Sequence, residues 1–226
     1  MRITPQNLAC QRLAPLILAT RNLGKIQELA APLAAHGFAV QLPPVDILDI
    51  AETGITFAEN AALKAIGMAK ATGLPALADD SGLEVDALGG APGVFSARFS
   101  EDLPFLPGEN KDQRNIRKLL SAIEAVPAPR SARFQCCMAL AYPEDAQPTI
   151  IAQAAWEGSI AAEPRGAHGF GYDPVFIDLE SKLRAAELTP EQKLARSHRG
   201  KALRILLAEL ERLTSINTCQ KTDKRF

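Results

Sequence analysis

Short apolar runs alternate with capped helical segments through the first third of the chain, and this order constrains the fold most. Residues 16–20 (LILAT) read as a buried strand, the polar turn 21–25 follows, and residues 26–36 suit a helix stopped by Gly37. Residues 38–40 read as a second strand, and a loop containing Pro43 and Pro44 runs to Gly54. Thr56, with Glu59 three residues later, forms a capping box for a helix that Gly73 and Pro75 end near Thr72. Residues 76–78 begin a third strand. Parallel strands need such helical crossovers, so an α/β chain is expected.

The second half adds a different pattern. Residues 101–112 are irregular, and residues 113–125 suit a helix with Ile116, Leu119, Leu120 and Ile123 on one face. Two strand-like runs at 133–142 and 149–156 resemble an antiparallel hairpin, and a glycine-rich loop leads to a short strand at 175–177. Thr189-Pro190 opens another helix, and Ser197 caps a closing helix over 198–213. The expectation is a mixed sheet with flanking helices, in a single domain over 1–226. Residues 1–15 and the tail 214–226 are expected to be peripheral.

Composition narrows the function classes. With 226 residues, 47% hydrophobic and 23% charged, the chain can bury an ordinary core. A net charge of −1 gives no dominant basic face, so no nucleic-acid partner is expected. Cys10, Cys136, Cys137 and Cys219 form no CxxC pair, which favours a reducing compartment and a cytoplasmic protein. No window reaches the length of a membrane span, so no membrane partner is expected.

Five polar clusters interrupt this pattern. In LATRNLGK a strand ends in a turn that opens a helix, and Lys25 sits at the positive end of the helix dipole. A phosphate between them would explain that placement, and so would a plain turn capped by Asn22 with a solvated lysine. Lys64 shares a helical stripe with Phe57, Ala61 and Met68; it either snorkels or points into a cleft.

The stretch LADDSGLEVD places Asp79 and Asp80 on opposite sides of a strand, so one can take Mg2+ while the other braces the backbone. Glu52 is a candidate second carboxylate. DDSG is equally a turn sequence. In HGFGYDP, Phe170 can stack on a planar base or fill an apolar corner. In SHRGKAL, His198 and Arg199 place positive charge at a helix N-terminus, which again suggests a nearby anion or acceptor.

Together, cations, paired carboxylates and a stacking loop are what a magnesium-chelated nucleoside triphosphate requires. The blocks ATRNLGK, ETGITFAENAALKA, LADDSGLEVDALGGAPGVFSARF, GFGYDP and SHRGKAL resemble, in order, the inosine triphosphate pyrophosphatase family, which includes the bacterial dITP/XTP pyrophosphatases. The resemblance runs over about residues 16–212. It implies an elongated mixed α/β fold with two lobes around a central cleft, usually as a homodimer.

It also implies Mg2+-dependent hydrolysis of deaminated purine nucleoside triphosphates (ITP, dITP, XTP) to the monophosphate and pyrophosphate. By the same resemblance Asp80 is proton acceptor and metal ligand, Ser81 touches substrate, and Thr20, Arg21, Asn22, Leu23, Gly24 and Lys25 cradle the phosphates with Lys64. Phe170, Gly171, Tyr172 and Asp173, with Lys193, His198 and Arg199, hold the base. Many relatives carry two acids before the TG dipeptide. Here the pair is Ala51-Glu52, so of that pair only Glu52 can join Asp80 at the metal. A non-catalytic nucleotide sensor and a Mg2+-dependent phosphomonoesterase are the competing readings.

Overall fold

A computed structural model describes residues 14–222. Six strands form one sheet: β1 (Ala14–Leu18), β2 (Phe38–Gln41), β3 (Ala76–Val85), β4 (Ser131–Ala141), β5 (Ile150–Ile160) and β6 (Phe176–Asp178). Their order is β2-β1-β3-β4-β5-β6. β1 pairs in parallel with β2 and with β3, setting Leu18 opposite Leu77, and β6 pairs antiparallel with β5. The sheet is therefore mixed, as the sequence order implies.

Among the described residues five α-helices accompany it: α1 (Leu23–Ala35), α2 (Phe57–Thr72), α3 (Lys111–Ala122), α4 (Pro190–Arg196) and α5 (His198–Thr222). The chain divides into two compact units. The first comprises the described residues to Asp80, Cys137–Gln153 and the described residues from Ala202; the second comprises Ser81–Cys136 and Ala154–Lys201.

In the first unit β1 is a continuous apolar run, with Leu16, Ile17 and Leu18 almost wholly buried. Asn22 caps α1 by accepting from the Gly24 and Lys25 N–H groups, and Leu29 and Leu33, four apart, bury one face. α2 opens on the expected box: Thr56 Oγ1 accepts from the Glu59 N–H, and Glu59 Oε2 accepts from the Thr56 N–H. It ends at Gly73, whose φ of +68° is left-handed.

The second unit gathers Leu83, Val85, Ile116, Leu119, Ile123, Phe134, Trp156, Tyr172, Val175, Phe176 and Leu188 into one buried cluster. The Phe134 and Phe176 rings lie 4.5 Å apart, and those of Trp156 and Phe176 lie 5.0 Å apart. Thr189 caps α4 with Pro190 at its first turn, and Ser197 Oγ accepts from the Gly200 N–H to open α5.

Several boundaries differ from the sequence expectation. Of the two readings of DDSG the strand holds: it lies inside β3, where residues 76–80 are all buried and continue the ladder. β5 runs on to Ile160, and α5 runs past residue 213 to Thr222. The irregular segment 101–112 is fastened to α3 by three cations. Arg114 donates to the Leu103 carbonyl, Arg117 to the Pro104 carbonyl and Glu109, and Lys118 to Asp102. Residues 1–13 and 223–226, most of the expected peripheral extension and the end of the tail, lie outside the described residues.

Candidate active site

Strand β3 carries two adjacent aspartates into the interior: Asp79 is 1% exposed and Asp80 6%. Side chains alternate along a strand, so the two carboxylates meet different helices. Lys25, from the first turn of α1, places Nζ 3.0 Å from Asp79 Oδ2. The anion that justifies a cation against the α1 dipole is thus, in the structure, the Asp79 carboxylate.

Lys64, from the middle of α2, donates to Glu52 Oε1 at 2.7 Å, to the Asp79 carbonyl at 2.7 Å and to Asp80 Oδ1 at 3.2 Å. The Asp79 carbonyl also accepts from Lys25 Nζ at 3.4 Å. Two ammonium groups and three carboxylates therefore converge at the middle of β3. Burying charges in this way gives little net stability, because desolvation offsets the attraction. What the fold gains is a set of preoriented charges.

Burial pushes the Asp80 carboxyl above the ordinary carboxylate value, against the pull of Lys64 and Lys25 and with Glu52 adding to the rise. For Lys64, burial pulls the ammonium down, but Asp80, Asp79 and Glu52 outweigh it and hold the group above its usual value.

The turn before α1 is internally bonded. The Asn22 N–H donates to Thr20 Oγ1, and Leu23 is 73% exposed. The Arg21 guanidinium donates to Asp49 Oδ1 and to the carbonyls of Pro44 and Ile47, so it holds the 42–55 loop.

In the second unit Arg199, 2% exposed, donates to Ser81 Oγ at 2.7 Å, and its guanidinium carbon lies 5.6 Å from the Phe170 ring centre. Lys193 pairs with Asp173, and its ammonium lies 5.0 Å from the same ring. Asp173 also accepts from the Phe170 N–H, which closes the loop. Gly169 has φ of +76°, and a Cβ there would meet Asp173 Oδ2 at 2.0 Å, so only glycine fits. The His198 ring stacks on Phe134 at 4.8 Å, and the Tyr172 hydroxyl donates to the Ser96 carbonyl.

The structure thus joins Glu52, Lys64 and Asp80 in the first unit, and Ser81, Phe170, Asp173, Lys193 and Arg199 in the second. Sequence reasoning missed three participants. Asn60, wholly buried on α2, donates to Asp80 Oδ2 at 3.2 Å. Asp112 accepts from the Gly171 N–H at 2.7 Å. Phe134 forms the stacking face for His198. Only Asn60 left a signal: it stands one turn before Lys64 on the apolar stripe of α2.

Fold and charge cluster define a mixed α/β protein with a buried carboxylate–ammonium centre on a sheet strand. The sequence model of the Ham1 family matches residues 16–209, and the chain belongs to that family. It is 55% identical over 199 residues to the dITP/XTP pyrophosphatase of Nitratidesulfovibrio vulgaris, covering 86% of this chain and 94% of that protein. It is 47% identical over 202 residues to the dITP/XTP pyrophosphatase of Vibrio parahaemolyticus, covering 88% of this chain and 98% of that one. Its fold is similar to that of a HAM1 protein from Coxiella burnetii, with a TM-score of 0.72 and 43% identity over 91% of this chain and 98% of the other. No helix among the described residues is long and apolar enough to cross a membrane.

Proposed function

We propose that this protein hydrolyses deaminated purine nucleoside triphosphates (dITP, XTP and ITP) to the monophosphate and pyrophosphate. The observation that carries the reading is the convergence of Asp80 and Glu52 on the Lys64 ammonium, in a chain whose relatives are named for that activity.

The donor set suits Mg2+. Glu52 and Asp80 are hard carboxylate donors that Lys64 holds to one ammonium, and Mg2+ takes one or two carboxylates and completes its shell with water and phosphate. Those two residues would hold it; when bound, it neutralises phosphate charge.

Asp80 orients a water molecule and takes its proton as the new bond to the α-phosphorus forms. The bond from the α-phosphorus to the bridging oxygen breaks, and pyrophosphate leaves. Lys25 and Lys64 stabilise the negative charge gathered on it, and the Thr20–Lys25 turn offers the remaining phosphate contacts.

In the second unit Phe170, backed by Lys193 and Arg199, offers a stacking face for a planar base. Donors from His198 and Arg199 would match the acceptor oxygen that inosine and xanthine carry at position 6. Adenine has an amino group there, and each unpaired buried donor costs about 1–3 kcal/mol. Family resemblance supports a cytoplasmic location and a homodimer, and sedimentation checks the dimer.

The deciding assay follows both products from ITP at alkaline pH with Mg2+. Pyrophosphate release supports the reading, orthophosphate would indicate a phosphomonoesterase, and binding without release would indicate a sensor. A higher kcat/KM for ATP than for ITP or XTP contradicts the assignment.

A further inference from the structure

Asn60 is wholly buried on α2, one turn before Lys64, and both ends of its amide are engaged. Oδ1 accepts from the Gly54 N–H at 2.8 Å, and Nδ2 donates to Asp80 Oδ2 at 3.2 Å. Its orientation is forced, because a backbone N–H can only donate and an ionised carboxylate can only accept.

The two oxygens of Asp80 are thereby claimed separately: Oδ1 by Lys64 and Oδ2 by Asn60. Gly54 lies two residues after Glu52 in the same loop. A Cβ on Gly54 would meet Glu59 Cβ at 2.6 Å and Asn60 Oδ1 at 2.8 Å, so the loop can approach the amide only as glycine. One side chain therefore ties the Asp80 carboxylate to the loop that bears Glu52.

We propose that Asn60 is a positioning residue for the hydrolysis: it fixes the rotation of the Asp80 carboxylate and, through Gly54, the distance of Glu52 from it. Lys64 alone could not do this. An ammonium on a flexible stem attracts a carboxylate without setting its plane, whereas two donors on separate oxygens do set it. The inference rests on the proposed role of Asp80 in orienting the attacking water. Asn60 itself touches no substrate in this scheme.

Two variants test it. Asn60→Asp keeps the size and the acceptor for Gly54 but presents a carboxylate oxygen to Asp80. Asn60→Ser removes the reach to Asp80 and leaves a hydroxyl on α2. A displacement of the reacting groups on the order of 1 Å costs about 100-fold, so kcat with ITP should fall about 10- to 100-fold while KM stays within about threefold.

Cooperative melting of the variants is measured alongside. If the wild-type protein releases no pyrophosphate from ITP, the functional reading fails before Asn60 is reached. If the wild type is active and both variants keep its kcat, Asn60 does not position Asp80. If both variants lose cooperative melting, or if KM rises in step with the fall in kcat, the amide is a packing group and the proposal is overturned.

Discussion

Lys64 Nζ bonds Glu52 Oε1 at 2.7 Å, joining the middle of α2 to the loop that precedes it. The same ammonium reaches Asp80, so its removal strands one well-buried carboxylate and one that is half-buried. Breaking a fully buried pair costs about 3–5 kcal/mol, and the exposure of Glu52 places Lys64→Met near the lower end, about 3 kcal/mol. Turnover should fall about 100- to 1000-fold, the usual effect of deleting a donor aimed at developing charge. Glu52→Gln should melt within about 1 kcal/mol of the wild type and require more Mg2+ for half-maximal rate. Chemical denaturation and a magnesium titration check both. Equal Mg2+ requirements would remove Glu52 from the metal site.

Asp80→Asn should abolish pyrophosphate release and still fold cooperatively, at a cost of about 1–3 kcal/mol because its amide N–H2 now faces Asn60 Nδ2. The amide keeps an oxygen for Lys64 but cannot take a proton, and loss of a general base costs about 100- to 10,000-fold. Circular dichroism and a pyrophosphate assay on the same preparation decide. A rate within about tenfold of the wild type would mean that water is activated elsewhere.

The fold was legible where local chemistry announces itself. The Thr56/Glu59 box, the Gly73 stop, the Asn22 cap and the Thr189-Pro190 start all fall where their residue types place them. DDSG allowed two readings, a strand and a turn, because Asp, Ser and Gly favour turns when solvated; the strand is the one that forms. Here each aspartate finds a lysine, which makes burial in a strand tolerable. The fastening of 101–112 to α3 was invisible because Arg114, Arg117 and Lys118 each donate to a backbone carbonyl, which carries no sequence signature. The same holds for the site. Lys64 stood out as a charge on an apolar stripe, whereas Asp112 bonds a backbone N–H that any loop residue could offer.

Phe170 is half-buried, so its ring is available without being a main support of the core. Stacking of a base on an aromatic ring is worth about 1–3 kcal/mol, so Phe170→Ala should lower kcat/KM for ITP about 10- to 100-fold. Its melting temperature should stay close to that of the wild type. A loss of kcat with KM unchanged would argue against base stacking.

Asp178 accepts from Trp156 Nε1 at 2.8 Å and from the Ser181 N–H and hydroxyl at 2.9 and 2.8 Å. Burial raises its carboxyl, but the Ser181 and Trp156 donors outweigh that and hold it below the ordinary value. A depressed native value means stability that is present above the unfolded pKa of about 3.9 and lost as pH falls through the native one. Asp178→Asn should destabilise at neutral pH by about 1–3 kcal/mol, since an amide N–H2 now faces donors. It should also flatten the decline of melting temperature in acid. An acid limb parallel to that of the wild type would show that Asp178 does not contribute.

Cys137 is buried in β4 within the first unit, with Asp80 and Asp79 near enough to oppose a thiolate. Burial chiefly, and then those two charges, push the thiol up to about 11. Only the thiolate alkylates, and at about pH 8 so high a value leaves on the order of one thiol in a thousand ionised. Iodoacetamide should therefore leave the peptide containing Cys137 unmodified in the native protein and label it once guanidinium unfolds the chain. Because burial dominates the shift, Asp80→Asn should not restore native labelling, although it removes one of the opposing charges. Rapid labelling of Cys137 in the folded wild type would mean that β4 opens to solvent beside the aspartates, and the low-dielectric setting assigned to Asp80 would fall with it.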